Sequence, residues 1–240
     1  MASKRAKNGF FRFILKLIIL GFDLSGYVIK HASIWRSIVM LSSLALSVYL
    51  GNNHTHNSDV AIYYFIASEI CYILFISLVL SENGLRKRFV KKWGEEKGYL
   101  IYEGILGFIF YHNFTSIGYV SSSSPGNLFD FVSPVILTVV VAIMFFTGFT
   151  VKVWSAWVVG VDIYYWKDMF LGKKISDFVV VGPYKYIRNP MYGIGQIQAY
   201  AVAIWYQSEN GLIAAAVNQI CVFSFFYMVE KPFIKRVYHT

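Results

Sequence analysis

Arg188 and Glu230 are the two residues of this chain whose types and settings most invite chemistry. Arg188 sits in Gly182-Pro183-Tyr184-Lys185-Tyr186-Ile187-Arg188-Asn189-Pro190-Met191-Tyr192-Gly193, a polar stretch punctuated by Gly and Pro between apolar runs. Glu230 opens the charged tail one apolar hairpin later, in Val229-Glu230-Lys231-Pro232. An arginine and a carboxylate at one cavity mouth offer a fork for a carboxylate or phosphate and an acceptor for an amine or ribose hydroxyl. Tyr184, Tyr186 and Tyr192 add aromatic faces able to hold a cation, and the glycines of Gly193-Ile194-Gly195 let a ligand or helix approach the backbone closely. Each piece has a plainer reading. Gly-Pro and Asn-Pro pairs mark turns, Arg188 taken singly reads equally as a snorkelling side chain or a lipid-phosphate contact, and Glu230 as the partner of Lys231. Only the whole pattern, with Glu230 one hairpin later, singles out a site.

The elements that must position these residues lie in a membrane. With 57% hydrophobic and only 15% charged residues and a mean hydropathy of +0.52, the chain falls in the integral-membrane α-helical class. Irregular backbone near membrane depth survives only where protein or a water-filled cavity covers it, which is why the polar stretch before Gly193 draws attention. The net charge of +9 sits at the borders of the apolar runs rather than on one basic face, so it reads as a topology signal and excludes nucleic acid. Arg12, Lys16 and Asp23 interrupt the first apolar run, and no removable signal peptide is expected. Cys71 and Cys221 lie inside apolar runs and read as packed thiols, with neither a disulfide framework nor metal-ligand spacing.

The expected fold is all-α: a polytopic transmembrane bundle of about six spans, an N-terminal interfacial helix and a C-terminal helical hairpin. The interfacial helix covers Phe10–Ile29, with Arg12 and Lys16 on one face. Four spans follow at Ile34–Leu50, Val60–Leu80, Leu100–Tyr119 and Val132–Gly160. Residues 161–192 form a polar re-entry region. Gly193–Tyr206 and Leu212–Met228 then make the hairpin, with an Asn-Gly turn in Gln207-Ser208-Glu209-Asn210-Gly211. This divides the chain into 1–160, the interfacial helix and first four spans, and 161–240, the connecting segment, hairpin and tail. The connections at 51–59, 120–131 and 207–211 hold no Lys or Arg, whereas the N-terminal region through Arg36, the 81–99 loop, the 152–192 region and the tail hold all of them. The positive-inside rule therefore puts both termini, the polar stretch and Glu230 in the cytoplasm.

Other polar residues have quieter readings. Glu69 and His112 lie deep in proposed spans, where a hydrogen-bonded structural role weighs at least as much as a functional one. Glu103, near the cytosolic end of its span, is expected to reach water. Arg86-Lys87-Arg88 with Lys91-Lys92 is a positive-inside anchor, and Asn53-His54-Thr55 fits a glycosylation acceptor on the outer side. The 19% aromatic content is mostly lipid-facing bulk and interfacial belt.

Gly-Pro-Tyr-x-Tyr-x-Arg-x-Pro-x-Tyr-x-Gly, followed by a hairpin and a tail beginning at Glu230, resembles the signature of the isoprenylcysteine carboxyl methyltransferase and phospholipid N-methyltransferase superfamily. The resemblance covers roughly residues 150–240. It implies S-adenosylmethionine as cofactor, held in a cytosol-facing pocket, and a lipid-like substrate entering from the bilayer; neither a metal nor nucleic acid is implied. Carried onto this sequence, the cofactor-binding set is Gly182, Pro183, Tyr184, Tyr186, Arg188, Asn189, Pro190, Tyr192, Gly193, Gly195 and Glu230, with Arg188 and Glu230 as the catalytic pair. Two positions depart from the pattern. Asn189 stands where the family has the His of Arg-His-Pro, so no group titrates there, and Val229-Glu230 stands where it has paired Glu.

The implied activity is methyl transfer to a membrane-embedded acceptor, with the amine headgroup of phosphatidylethanolamine or its methylated forms preferred over a prenylated cysteine carboxylate or a small thiol. An NADPH-dependent membrane reductase and a non-catalytic relative stay open as readings of another class. The membrane is a bacterial inner membrane or the endoplasmic reticulum.

Overall fold

The computed structural model describes residues 2–52 and 58–238. The Asn53-His54-Thr55 triplet lies outside the described residues. The architecture is all-helical, with 79% of residues in helix. Helix α1 (Ala2–Leu24) is followed by α2 (Ile34–Asn52), α3 (Ser58–Leu80), the short basic α4 (Arg86–Trp93), α5 (Glu95–Ser123) and α6 (Pro134–Val159). The connecting segment carries α7 (Val161–Tyr164) and α8 (Lys167–Leu171), and α9 (Ile197–Trp205), α10 (Glu209–Phe225) and α11 (Lys231–Tyr238) close the chain. Three helical stretches, Ser58–Leu80, Pro134–Val159 and Glu209–Tyr238, are long and apolar enough to cross a membrane, and Ile34–Leu50 is a shorter apolar helix.

Local sequence explains the boundaries. Pro134 sits in the first turn of α6, where its missing N–H costs nothing, and the helix ends at Gly160 in a left-handed backbone region. The α9–α10 turn differs from expectation. Asn210-Gly211 lies inside the first turn of α10, and the chain reverses at Gln207 (φ 50°) and Ser208 instead. Ser208 Oγ accepts from Gly211 N–H at 3.0 Å, so Ser208 caps the helix and makes the Asn-Gly pair helical. The first leg of the hairpin is also short: nine residues of helix in α9 rise only about 14 Å. The N-terminal helix starts earlier than expected and stops at Leu24. A separate 3-10 turn at Ile29–His31 leads into α2.

Helix α5 packs against α2, α3, α9 and α10 and is the hub of the bundle, while α6 packs mainly against α9. The α6–α9 seam is tight because of glycine. A Cβ on Gly148 would meet Gln198 N at 2.6 Å, and one on Gly195 would meet Lys152 Cβ at 3.3 Å, the close backbone approach that small residues allow in membrane helices. The core is aromatic: Tyr72, Tyr99, Tyr102, Tyr165, Trp166, Phe170 and Phe225 pack where α7 and α8 plug in between α3, α5 and the end of α10.

Two expectations are corrected. Glu103 does not reach water; it is fully buried, and its Oε2 accepts from His31 Nδ1 at 2.6 Å and Arg36 Nη1 at 3.0 Å. Arg36 also donates to Leu100 O. The segment from His31 to Arg36 thus clips onto α5, and the guanidinium that faces Glu103 comes from it rather than from solvent. Cys71 is exposed on the outer face of α3, not packed, whereas Cys221 is half-buried. A one-residue shift on a helix moves a side chain by about 100°, and an apolar run alone does not say which face looks inward.

Candidate active site

The polar stretch before Gly193 meets the helical tail through one hydrogen bond: Tyr192 Oη donates to Glu230 Oε2 at 2.7 Å. Both chain segments are shaped to allow it. Residues 189–196 coil tightly, with Gly193 N–H donating to Asn189 O and Gly195 N–H to Pro190 O, which drives Pro190 into the interior and turns Tyr192 inward. On the other side, Phe226–Glu230 forms a π-helical turn between α10 and α11. A π turn inserts one residue into the helical register, re-aims the side chains that follow, and is common at functional sites. Tyr192 is held further by Gln219, whose Nε2 donates to its carbonyl at 3.0 Å, and by the edges of Phe223 and Phe226.

Around this bond lies a cavity of about 370 Å³, within the range of small-molecule sites. Of the residues singled out from sequence, Tyr184, Arg188, Asn189, Tyr192 and Glu230 line it. Gly182, Pro183, Tyr186, Pro190, Gly193 and Gly195 do not. Pro183 and Pro190 are buried supports, Gly182 makes a left-handed turn against Trp154 and Val158, and Gly195 lies on the α6 seam. Tyr186 is 77% exposed, with Lys185 Nζ 5.6 Å from its ring centroid, and stands outside the cavity lining. Arg188 is exposed at the mouth and has no ion pair among the described residues. Tyr184 Oη is buried without a hydrogen-bond partner, a donor left for something in the cavity. Burial and the nearby Glu230 charge push its phenol well above the usual range.

Sequence reasoning missed Asp168. It is buried in α8, lines the same cavity, and accepts from Tyr238 Oη at 2.9 Å and Met169 N–H at 2.8 Å. Burial raises its carboxyl above the ordinary range, opposed only in part by those two hydrogen bonds. A lone Asp in a short amphipathic stretch carries no spacing signal, and only the docking of α11 reveals its role. Trp166, just before α8, adopts a left-handed backbone (φ 51°) that costs a non-glycine residue on the order of 1 kcal/mol. Its ring is 5% exposed and set edge-on to Phe225 at 5.2 Å between centroids.

Trp166 is one of four residues, with Tyr164, Met191 and Tyr192, that line a second cavity as well, of about 420 Å³. This one extends between α5, α6, α9 and α10. Glu69 supports its polar wall: its Oε2 accepts from Asn113 Nδ2 and Asn218 Nδ2, both at 2.8 Å, and Asn218 in turn accepts from Gln196. His112 is a cross-link between helices, bonded to Tyr64 at 2.6 Å and Ser43 at 3.1 Å. Among the described residues, no three His, Cys, Asp or Glu side chains converge as a metal site would require.

Residues 136–240 match the family model described as phospholipid methyltransferase. The matched segment spans most of α6, the connecting segment and α9–α11, and so contains the motif, Glu230 and the wall between the cavities. It bears out the resemblance to the integral membrane methyltransferases and, with the apolar helices, supports a membrane methyltransferase. No curated protein and no solved structure matches the chain.

Proposed function

We propose that this protein is an S-adenosylmethionine-dependent methyltransferase that N-methylates the amine headgroup of a membrane phospholipid. The family match over residues 136–240 supports the reaction class. The observation that carries the site is the Tyr192–Glu230 hydrogen bond, which joins the motif to the tail inside a cavity of suitable size. In this reading residues 161–240 form the donor site, residues 1–160 form the membrane scaffold, and the basic segments with both termini face the cytosol.

The residues present fit such a donor. It carries a carboxylate, an ammonium, ribose hydroxyls and a sulfonium, and the cavity offers a cation at the mouth, the buried Asp168 and half-buried Glu230 carboxylates and an orphaned phenol. Arg188 pairs with the donor's carboxylate. Glu230, with one oxygen engaged by Tyr192, uses the other for a hydroxyl or ammonium, and Tyr184 Oη supplies a hydrogen bond. Asn189 takes the place of a ring nitrogen with an amide that donates and accepts but does not titrate.

When bound, the donor supplies an electrophilic methyl group on sulfur. The chain's own contribution is position and dryness. Tyr192, Trp166, Met191 and Tyr164 form the wall across which acceptor and donor meet, and their packing excludes water from it. An ammonium acceptor must shed a proton before it can attack, and this passes to Glu230 or to the acceptor's own phosphate. The test is transfer of labelled methyl from S-adenosylmethionine to phosphatidylethanolamine in proteoliposomes. Label in mono-, di- and trimethylated lipid is expected. Label absent from lipid while donor binds would overturn the choice of acceptor.

A further inference from the structure

The second cavity contains a cation with no partner. Lys152, two turns before the end of α6, lines it and has neither a hydrogen bond nor an ion pair among the described residues. It does not stand there by accident of a mobile surface, because its Cβ is packed against Gly195 across the α6–α9 seam. The same lining holds four amides, Asn113, Gln196, Gln198 and Asn218, of which all but Gln196 are buried. An ammonium in a cavity walled by amides, the hydroxyls of Ser25 and Thr115, and otherwise by aromatic and aliphatic side chains is a seat for an anion.

The surroundings say which kind of anion. Phe114 on α5 and Phe149 on α6 line the cavity and are also exposed, by 54% and 48%. Both helices present apolar side chains outward there, and α6 is long and apolar enough to cross a membrane, so the cavity is flanked by an apolar outer face suited to the hydrocarbon region. An anion that arrives from that side must be attached to acyl chains. The cavity's other end is the wall of Tyr164, Trp166, Met191 and Tyr192, behind which lies Glu230.

We propose that Lys152 is the phosphate-binding residue of the acceptor site, holding the phosphodiester of a glycerophospholipid so that the group beyond the phosphate reaches the Trp166–Tyr192 wall. This rests on the methyl-transfer reading for the identity of the reacting group but not for the binding itself. Inorganic phosphate shares the chemistry of the seat. The apolar flank commits the site to the lipid form, because a free ion gains nothing from Phe114 and Phe149.

The test compares Lys152→Met and Lys152→Arg with the wild type, using three probes: a short-chain phosphatidylethanolamine, soluble phosphoethanolamine, and a phosphate-free long-chain amine. Binding is measured by calorimetry on detergent-solubilised protein without donor, and KM by methyl transfer. The expected result is a loss of about tenfold or more in affinity and KM for the phospholipid in Lys152→Met, the size of one charge-assisted hydrogen bond. Lys152→Arg restores most of it, and the phosphate-free amine shifts far less. Phosphoethanolamine binding with equal affinity would overturn the lipid assignment, and equal losses on phospholipid and amine would overturn the phosphate assignment. Unchanged affinities would overturn both. If no acceptor is methylated by the wild type but phospholipid binding still depends on Lys152, the methyl-transfer reading fails and the lipid site stands.

Discussion

Glu103 is a fully buried carboxylate and Glu230 a half-buried one, and the difference between their surroundings distinguishes a structural role from the proposed ligand-binding one. The Oε2 of Glu103 accepts from His31 and from the Arg36 guanidinium, and Glu103 lines neither cavity described above. Glu230 accepts from a neutral donor, Tyr192, and lines a cavity that Arg188 and Asp168 also line. A carboxylate countered by a guanidinium serves the fold. One with no cation against it among the described residues, beside an open volume, suits a ligand. The same contrast recurs among the cations. Lys30 and Lys167 both close on Asp162, at 2.5 and 3.1 Å, whereas Lys152 and Arg188 meet no carboxylate among the described residues. Burial alone would raise Asp162, but the two lysines outweigh it and hold its carboxyl low.

The largest expected effect lies on the structural side. Glu103→Ala strands Arg36 and His31 and is expected to cost about 3–5 kcal/mol, seen as a large fall in thermal unfolding temperature. Donor affinity of the protein that remains folded should be unchanged. Next comes Glu230→Gln, which keeps size and hydrogen-bonding shape but removes the charge. It is expected to weaken donor binding about ten- to a hundredfold, with little change in unfolding temperature. A stability loss as great as that of Glu103→Ala would erase the distinction between the two.

Gly148→Ala probes the seam that aligns both cavities. Its Cβ would stand 2.6 Å from Gln198 N, so α6 and α9 must part, at about 1–3 kcal/mol. Calorimetric unfolding checks this, and the acceptor KM should rise with it because Lys152 and Gln198 sit on opposite sides of the seam. Tyr192→Phe deletes only the hydroxyl that Glu230 accepts from, and is expected to weaken donor binding about fivefold, one ordinary hydrogen bond.

The smallest effect is a pH slope from Asp168. Its carboxyl is raised above the ordinary 3.8 by burial. The folded protein therefore holds this proton more tightly than the unfolded chain. The corresponding stability is fully present below pH 3.8 and is lost as pH rises through the folded value. Asp168→Asn, whose amide oxygen still accepts from Tyr238, should flatten the fall of unfolding temperature across that window. An unchanged slope would mean the group titrates normally.

Much of the architecture could be read from apolar periodicity. The runs at 34–50, 60–80 and 132–160 correspond to α2, α3 and α6 within a few residues, because an uninterrupted apolar helix has few alternatives in a bilayer. The motif likewise announced its cavity through Tyr184, Arg188, Asn189 and Tyr192. What stayed hidden was non-local. His31 and Arg36 lie 72 and 67 positions from Glu103, and no spacing rule links them. Asp168 and Lys152 gain meaning only from α11 and α9, which the sequence does not place beside them. Asn210-Gly211 misled because a dipeptide suited to turns also fits the first turn of a helix once Ser208 caps it.

The most direct measurement is calorimetric binding of S-adenosylmethionine to the purified wild type, Glu230→Gln and Glu103→Ala, each with its unfolding temperature. The account predicts saturable binding to the wild type, loss of affinity confined to Glu230→Gln, and loss of stability confined to Glu103→Ala. Absence of binding to the wild type, or equal affinity in the wild type and Glu230→Gln, would contradict it.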